Sequence, residues 1–390
     1  MLYQIFDWFY GAGETLLWAV IVLGMLIFIH ELGHHLAAKK LGIGVSCFSL
    51  GFGRRLWGFQ RGETDYRLSL IPIGGYVKLL GEEGEGDLSE EDRARAYSLR
   101  PVRHRLLVIL AGPLFNVFFA LFLSWLIHMA GIPAPGTWVG RVLPDSPALT
   151  AGLRADDHIM AIDGKPIRRW TELVAIVRLS ANKRLLLKVE RGRRMLELPI
   201  TPTSKAPDGA PLGYGRIGIS LGGATVTDRY GPFSAMWESA KQNYSIVHLT
   251  VATIYGMITR TMPADIGGPI RISVVAAEQA KRGLRYLVMF TILLSLNLAV
   301  LNLLPIPILD GGHIFFLLVE ALRGKPLSQR IQEAAMQVGT VLLVGLMLFA
   351  TYKDSVYYFL GGDRVAAPER SAPAQPHKPG APKPSPSGGR

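Results

Sequence analysis

The sequence has few charged residues and almost no cysteine, and both shortages narrow the possible classes of protein. Of its 390 residues, 18% are charged and 49% are hydrophobic, and the mean hydropathy is +0.27. That composition is too apolar for an ordinary soluble domain. The single cysteine, Cys47, excludes an intramolecular disulfide and any metal site built from cysteines.

Acidic residues are scarce relative to basic ones. Lys and Arg number 42 against 30 Asp and Glu, which gives a net charge of +12. Most of the basic excess lies between hydrophobic runs and in the C-terminal tail, not in one folded domain. This distribution argues against nucleic-acid binding and is typical of a membrane protein with basic cytoplasmic loops. The sequence also lacks internal repeats, which disfavours a transporter.

Hydrophobic runs long enough to cross a bilayer, which takes about 20 residues, predict four membrane spans. No Lys or Arg precedes the first run and several follow it, so residues 39–105 are expected in the cytoplasm and the N-terminus outside. The first run has no basic segment before it and no cleavage site after it, so no removable signal peptide is expected. A fifth run, residues 242–259, is rich in polar residues and is interpreted as an interfacial or buried helix.

An HExxH motif, His30-Glu31-Leu32-Gly33-His34, ends the first run. On a helix the two histidines share one face and can both bind Zn²⁺, while Glu31 can take a proton from a metal-bound water. Fifteen uncharged residues precede His30, a rise of roughly 22 Å that predicts a position in the cytoplasmic third of the bilayer. A polar helix end at the membrane surface is the alternative.

A zinc site of this type needs a third protein ligand, and Asp310 is the candidate. It lies at the end of the third span, which runs in the same direction as the first and therefore reaches the same depth as His30. Pro305 and Pro307 cannot continue a helix, and such backbone is tolerated in a membrane only where it lines a protein cavity. A helix-ending Asp-Gly turn is the alternative for Asp310, and His313 is a rival ligand nearer the cytoplasm.

These motifs resemble the site-2 protease family of intramembrane zinc metalloproteases, and most of all the bacterial branch that cleaves membrane-embedded anti-sigma factors. HExxH in the first span and NxxPxPxxDG in the third occur in the family's order, and the resemblance covers roughly residues 15–360. It implies a Zn²⁺ cofactor and a multi-pass protein of the bacterial inner membrane. The implied site residues are the metal ligands His30, His34 and Asp310, the general base Glu31, and the substrate contacts Asn302, Pro305 and Pro307.

Two further elements resemble parts of that family. Residues 111–116, AGPLFN, are similar to its AGPxxN element, so Asn116 is expected either to contact substrate or the active site, or to form a helix-packing hydrogen bond. Residues 46–80 contain glycine turns around alternating stretches, which predicts β-hairpins like the family's membrane-associated ones. An exposed strand edge would offer hydrogen bonds to an unwound substrate, and a plain structural connector is the alternative.

Residues 137–202 resemble a PDZ domain of the bacterial protease type. The resemblance rests on short motifs such as Ala151-Gly152-Leu153 and Ile162-Asp163-Gly164, although Asp156 stands where a glycine is usual. A domain of this kind would either bind a peptide terminus or exclude substrates with bulky ectodomains.

We therefore expect a polytopic α-helical membrane protein with about four transmembrane helices, a membrane-associated β-hairpin region and one extracytoplasmic PDZ-like α+β domain. The expected divisions are 1–45, first span; 46–105, hairpins and acidic loop; 106–130, second span; 131–205, PDZ-like domain; 206–285, linker and interfacial helices; 286–313, third span; 314–333, cytoplasmic loop; 334–360, fourth span; 361–390, disordered Pro-rich tail.

The expected activity is cleavage of a transmembrane segment of a single-span membrane protein, after another protease has removed its ectodomain. The expected partners are this substrate and the lipid bilayer, with the N-terminus, the PDZ-like domain and the C-terminus outside the cytoplasm. The alternative is a non-catalytic membrane scaffold that recruits partners through the PDZ-like domain. Intact Glu31 and Asp310 argue against it, because a scaffold has no use for a base beside two imidazoles.

Overall fold

The chain folds into two compact units. The computed structural model describes residues 2–82, 88–206, 210–262 and 267–359. The first unit joins the residues up to Ile132 with those from Arg229 onward, and the second, the β-rich unit, spans Pro133–Asp228. The expected disordered tail lies outside the described residues, as does the middle of the acidic loop.

The first unit consists of helices and one long hairpin. Before the β-rich unit, the elements are α1 (Leu2–Lys40), β1 (Val45–Arg61), β2 (Thr64–Leu79), α2 (Glu90–Arg93) and α3 (Val102–Ala130). After the β-rich unit, they are α6 (Pro232–Ile258), α7 (Pro269–Arg282), α8 (Leu284–Asn302), α9 (Asp310–Arg323) and α10 (Gln329–Phe359).

Four of these helices are long and apolar enough to cross a membrane. They are α1 from Gly13 onward, α3, α8 and α10 up to Tyr358, which agrees with the number of spans expected from the sequence. The fifth run, residues 242–259, falls in α6, which is not among the four in the described part of the chain. Its buried face carries Ser239 and Asn243, and its Thr250 donates a hydrogen bond to Asn297 of α8.

The third span ends earlier than the sequence indicated. Helix α8 stops at Asn302, not at residue 313, because Pro305 and Pro307 follow and cannot continue it. The chain then turns, and Asp310 starts the new helix α9. Half of the loop expected over 314–333 is therefore helical as part of α9, up to Arg323, and α10 begins before the loop's expected end, at Gln329.

The hairpin of β1 and β2 folds back on itself. Residues 47–50 are in register with 75–78 and also with 65–68, so this segment lies between two arms of the same strand. Its Phe48 packs edge-on against Phe28 and His35 of α1, and the Tyr66 hydroxyl lies 3.1 Å from His35 Nε2. These contacts hold the hairpin against the helix that carries the HExxH motif.

The β-rich unit is built of short strands around one amphipathic helix. Its elements are β3 (Ile132–Pro135), β4 (Val139–Val142), α4 (Pro147–Thr150), β5 (His158–Ile162), β6 (Lys165–Pro166), α5 (Trp170–Leu179), β7 (Leu185–Arg191), β8 (Arg194–Ile200), β9 (Thr203–Lys205), β10 (Pro211–Arg216), β11 (Ile219–Leu221) and β12 (Thr225–Asp228).

A four-stranded sheet in the order β6-β5-β7-β8 forms one side of this unit's core. Leu173 of α5 packs with Ile159, Leu187 and Val189, and all are almost fully buried. Strands continue to Asp228, past the expected boundary at residue 205. Asp156 adopts φ 66°, a left-handed conformation that glycine enters most readily, which accounts for the glycine usual at this position.

Candidate metal centre

The two histidines of HExxH project from α1 into its contact with α3. The helix places His30 and His34 one turn apart on the same face. Opposite them is Gly112 of α3, where an added Cβ would lie 2.2 Å from His34 Nε2. Glycine is required here because any side chain would occupy the position of the imidazole.

Asp310 reaches the same place from the other end of the chain. The loop of residues 303–309 wraps over the first turn of α9, and a Cβ at Gly311 or Gly312 would come within 2.1 Å of Leu304 O or 2.4 Å of Ile306 O, respectively. The Asp-Gly-Gly sequence therefore lets α9 begin tightly against this loop, with Asp310 as its first residue. Pro305 and Pro307 lie within this loop.

The ligand atoms of His30, His34 and Asp310 all lie within 4.8 Å of one another. The two Nε2 atoms are 3.2 Å apart, and the Asp310 oxygens lie 3.1 Å from His30 Nε2 and 3.6 Å from His34 Nε2. Two Zn–N bonds of about 2.0–2.1 Å at a tetrahedral angle separate their nitrogens by about 3.3 Å. Asp310 Oδ2 is buried and makes no hydrogen bond within the described part of the chain. The donor set therefore fits a zinc ion.

His313, the rival ligand, does not belong to this cluster. It lies in the first turn of α9, half-buried, and burial lowers the pKa of its imidazole while the nearby Asp310 opposes that shift. Among the described residues, the group able to hold a metal ion contains Asp310 and not His313.

Glu31 lies beside the ligands and faces the hairpin. A Cβ added at Gly75 would lie 3.1 Å from Glu31 Cγ and 3.0 Å from Ile27 Cγ2. The strand that carries Gly75 is therefore packed directly against the helix face that presents Glu31. The carboxylate is next in sequence to His30, and it is not one of the clustered ligands.

Two asparagines contact His30. The side-chain amide of Asn116, in α3, lies 3.3 Å from His30 Nδ1 and is fully buried. The amide of Asn302, the last residue of α8, lies 3.3 Å from His30 Nε2 and is only partly buried. The structure thus brings both predicted asparagines to the same imidazole, which the sequence did not indicate.

Four other residues support the site and were not found from the sequence. The Val108 carbonyl accepts a hydrogen bond of 2.8 Å from His34 Nδ1, and Ser295 Oγ donates one of 2.8 Å to the Asn116 carbonyl. Arg105 of α3 forms a largely buried ion pair with Glu320 of α9, the helix that begins at Asp310. A backbone carbonyl and a serine inside apolar helices leave no distinctive sequence pattern.

Comparison with known proteins identifies relatives that match most of the chain. The family model described as peptidase family M50 matches residues 18–346. The regulator of sigma-E protease RseP of Salmonella typhimurium is 32% identical, over 86% of this chain and 97% of the relative. A Brucella suis protein named as a zinc metalloprotease is 34% identical, over 89% of this chain and 97% of the relative.

Among solved structures, the PDZ domain of the SdrC-like protein of Listeria monocytogenes matches at 25% sequence identity. The match covers 23% of this chain and 90% of that domain, with a TM-score of 0.20.

Proposed function

The chain belongs to peptidase family M50 and is a zinc metalloprotease, and from that premise we propose that it cleaves a transmembrane segment of a single-span membrane protein. One observation carries the proposal: His30, His34 and Asp310 converge at one point, although they come from α1 and from the start of α9. Ionisable side chains inside a membrane cost free energy, and such residues usually mark a functional site.

In this proposal His30, His34 and Asp310 hold the zinc ion, and Glu31 is the general base. A bound Zn²⁺ polarises a carbonyl and makes water more acidic. Glu31 takes a proton from the attacking water on its carboxylate and then delivers that proton to the leaving amine. Its side chain packs against β2 at Gly75, on the helix that carries His30 and His34.

Substrate binding is assigned to the two sides of this centre. Asn302, Pro305 and Pro307 line the turn between α8 and α9, where the helix has ended and the backbone is irregular. On the other side, the arm of β2 around Gly75 lies next to Glu31. Strand addition to this arm would hold an unwound substrate segment extended.

The proposed substrate class is a single-span protein of the bacterial inner membrane, such as an anti-sigma factor. The RseP relative is named a regulator of sigma-E protease, which supports this class. We propose that another protease first removes the substrate's ectodomain. The proposed orientation puts the N-terminus, the β-rich unit and the C-terminus outside the cytoplasm, because basic residues flank the other ends of the spans.

The β-rich unit contains a groove that favours peptide capture over a purely steric role. The groove has a volume of ≈ 530 Å³ and lies between α5 and the segment that includes β10 and β11. Strand β11 pairs with β4 on one side, and its segment faces α5 on the other. An extended peptide would fit there, because apolar side chains such as Trp170, Val174 and Ile219 line the groove.

Substitution of Val174 tests this role of the groove. Val174→Lys places a charge inside the groove, and we expect a higher KM for a trimmed substrate with unchanged kcat. Thr171→Lys on the exposed face of α5 is the matched control, since Thr171 does not line the groove. If KM is the same in both variants, the groove does not capture substrate.

The scaffold alternative predicts neither a bound metal nor cleavage. We would purify the full chain and a His30→Ala, His34→Ala double variant, measure the zinc content of each, and assay both in proteoliposomes on single-span proteins. Zinc and cleavage in the wild type, with loss of both in the double variant, are the expected results. Equal zinc content in the two proteins would overturn the assignment of the site.

A further inference from the structure

A histidine that binds zinc through Nε2 must keep its proton on Nδ1, and that proton needs an acceptor. His34 has such an acceptor, since its Nδ1 lies 2.8 Å from the carbonyl oxygen of Val108 in α3. This contact fixes the ring and leaves Nε2 free to face His30 and Asp310. His30 needs an equivalent acceptor, because its own Nε2 faces the same point.

Two side-chain amides lie near His30 Nδ1, at 3.3 Å for Asn116 and 3.5 Å for Asn302. Asn302 is closer to Nε2, at 3.3 Å, so its amide contacts both ring nitrogens and not Nδ1 alone. Asn116 contacts only Nδ1 of this ring. It is also 0% exposed, so no solvent water can replace it as the partner of that nitrogen.

Either end of an asparagine carboxamide can face a neighbour, because a 180° rotation exchanges Oδ1 with Nδ2. In the structure Asn116 Nδ2 is the atom nearest His30 Nδ1, and Oδ1 is buried without a hydrogen-bond partner among the described residues. A protonated Nδ1 requires the rotated carboxamide, with the oxygen end facing the ring. The backbone at this position is held by α8, whose Ser295 donates a buried hydrogen bond of 2.8 Å to the Asn116 carbonyl. Asn116 is therefore fixed in place beside His30 by a contact that does not involve its own side chain.

We propose that Asn116 is a positioning residue of the metal centre: its Oδ1 accepts a hydrogen bond from His30 Nδ1 and fixes the tautomer whose Nε2 binds zinc. The inference rests on the proposed function, since it takes His30 as a zinc ligand. It assigns Asn116 to the metal site in place of substrate binding or helix packing. Asn302, which is partly exposed at the end of α8, stays assigned to substrate.

The test measures zinc affinity of the full chain in detergent by competition with a chelator. Asn116→Leu has a similar volume but no acceptor, and we expect zinc binding about 10–100-fold weaker, the usual cost of losing such a partner. Asn116→Asp keeps an acceptor oxygen at the same place and should restore most of the affinity. At saturating zinc, KM for a single-span substrate should match the wild type in both variants.

Asn302→Leu is the comparison variant, and it should raise KM while leaving zinc affinity close to the wild type. Wild-type zinc affinity in Asn116→Leu together with a raised KM would overturn the proposal in favour of substrate binding. Weak zinc binding in both Asn116→Leu and Asn116→Asp would overturn it in favour of helix packing. Failure of the proposed function is separate, because wild-type protein would then bind no more zinc than the His30→Ala, His34→Ala variant.

Discussion

At the scale of single residues, one carboxylate oxygen of Asp310 bears directly on metal binding. Its Oδ2 is buried without a hydrogen bond in the described part of the chain, yet it lies 3.1 Å from His30 Nε2. Moving a carboxylate out of water carries a desolvation cost of several kcal/mol in order of magnitude. A cation bound between Asp310 and the two imidazoles would offset that cost.

Substitution of Asp310 should therefore affect metal binding directly. We expect Asp310→Asn to weaken zinc binding by more than about 100-fold, which is beyond the loss usual for an outer partner, and to remove activity. His313→Ala should bind zinc like the wild type, because His313 is outside the ligand cluster. Metal titration of both variants checks this, and the reverse pattern would make His313 the third ligand.

The sequence predicted some of these residues and not others for physical reasons. The spacing of His30 and His34 determines that they share a helix face. Asp310 was predicted to join them because the first and third spans bring it to the same depth in the bilayer as His30. The contact between Asn116 and His30 depends on how closely α1 and α3 approach at Gly112. Helix separation is a property of tertiary packing, so the motif alone left two roles open for Asn116.

At the scale of elements, the strand arm around Gly75 joins the hairpin to the HExxH helix. A Cβ at Gly75 would lie 3.1 Å from Glu31 Cγ and 2.9 Å from the Ser49 carbonyl. Glycine thus allows β2 to approach both its partner strand and the proposed base. Placement errors of about 1 Å at a catalytic group can cost about 100-fold in rate.

Gly75→Ala should accordingly lower kcat by at least about tenfold while zinc affinity is retained. Gly58→Ala is the matched control, since its Cβ would meet the Tyr66 carbonyl at 2.3 Å and thus disturb the same hairpin away from Glu31. Steady-state kinetics with zinc content measured in parallel would decide. Equal losses of kcat in the two variants would mean that general weakening of the hairpin, not displacement of Glu31, is responsible.

A second element-scale feature is the ion pair inside the β-rich unit. Asp157 is fully buried and accepts hydrogen bonds from Arg191 and from the Arg154 backbone N–H. Burial alone would raise the pKa of Asp157, but these hydrogen bonds outweigh it, so the pKa is lowered. The pair therefore stabilises the unit fully when the pH is above the pKa of Asp157 in the unfolded chain, about 3.9. This stabilisation is lost as the pH falls through the lower pKa that Asp157 has in the folded unit.

Arg191→Met leaves the Asp157 carboxylate buried without its cation and should destabilise the unit by about 3 kcal/mol near neutral pH. Hydrogen exchange of the β5 and β7 amides in the full chain, measured from pH 7 down to pH 3, checks this. The difference between variant and wild type should shrink as the pH falls. A difference that is independent of pH would contradict the role of the charge pair.

The elements themselves were predicted unevenly. Long apolar runs identified the four candidate spans, because bilayer thickness imposes a length. The pairing of residues 47–50 with both 65–68 and 75–78 was not predictable from the alternation of apolar and polar residues. That alternation is compatible with either partner segment. Strands β10 to β12, which lie beyond residue 205, were missed because they are only three to six residues long, which is too short to show a period.

At the scale of the whole molecule, the chain leaves the first unit after α3 and returns close to the same point. The Tyr230 backbone N–H donates to the His128 carbonyl at 3.2 Å. The β-rich unit is thus inserted between two adjacent positions of the first unit. Insertions of this kind can be removed with little strain on the host.

Replacing residues 133–228 by a short Gly/Ser linker tests what the insertion contributes. If the groove captures the end of a trimmed substrate, KM for that substrate should rise, while substrates with intact ectodomains should remain uncleaved. Cleavage assays with matched trimmed and untrimmed single-span substrates provide the measurement. Efficient cleavage of the untrimmed form by the shortened protein would instead show that the β-rich unit is a steric filter.

The central claim is that Glu31 is the base beside a zinc ion held by other residues, and Glu31→Gln tests it most directly. The amide keeps the size of the side chain and leaves His30, His34 and Asp310 intact. We predict full zinc occupancy with cleavage reduced by at least about 10²–10⁴-fold, the usual contribution of a general base. Near-normal turnover in that variant, or loss of its zinc, would contradict the account.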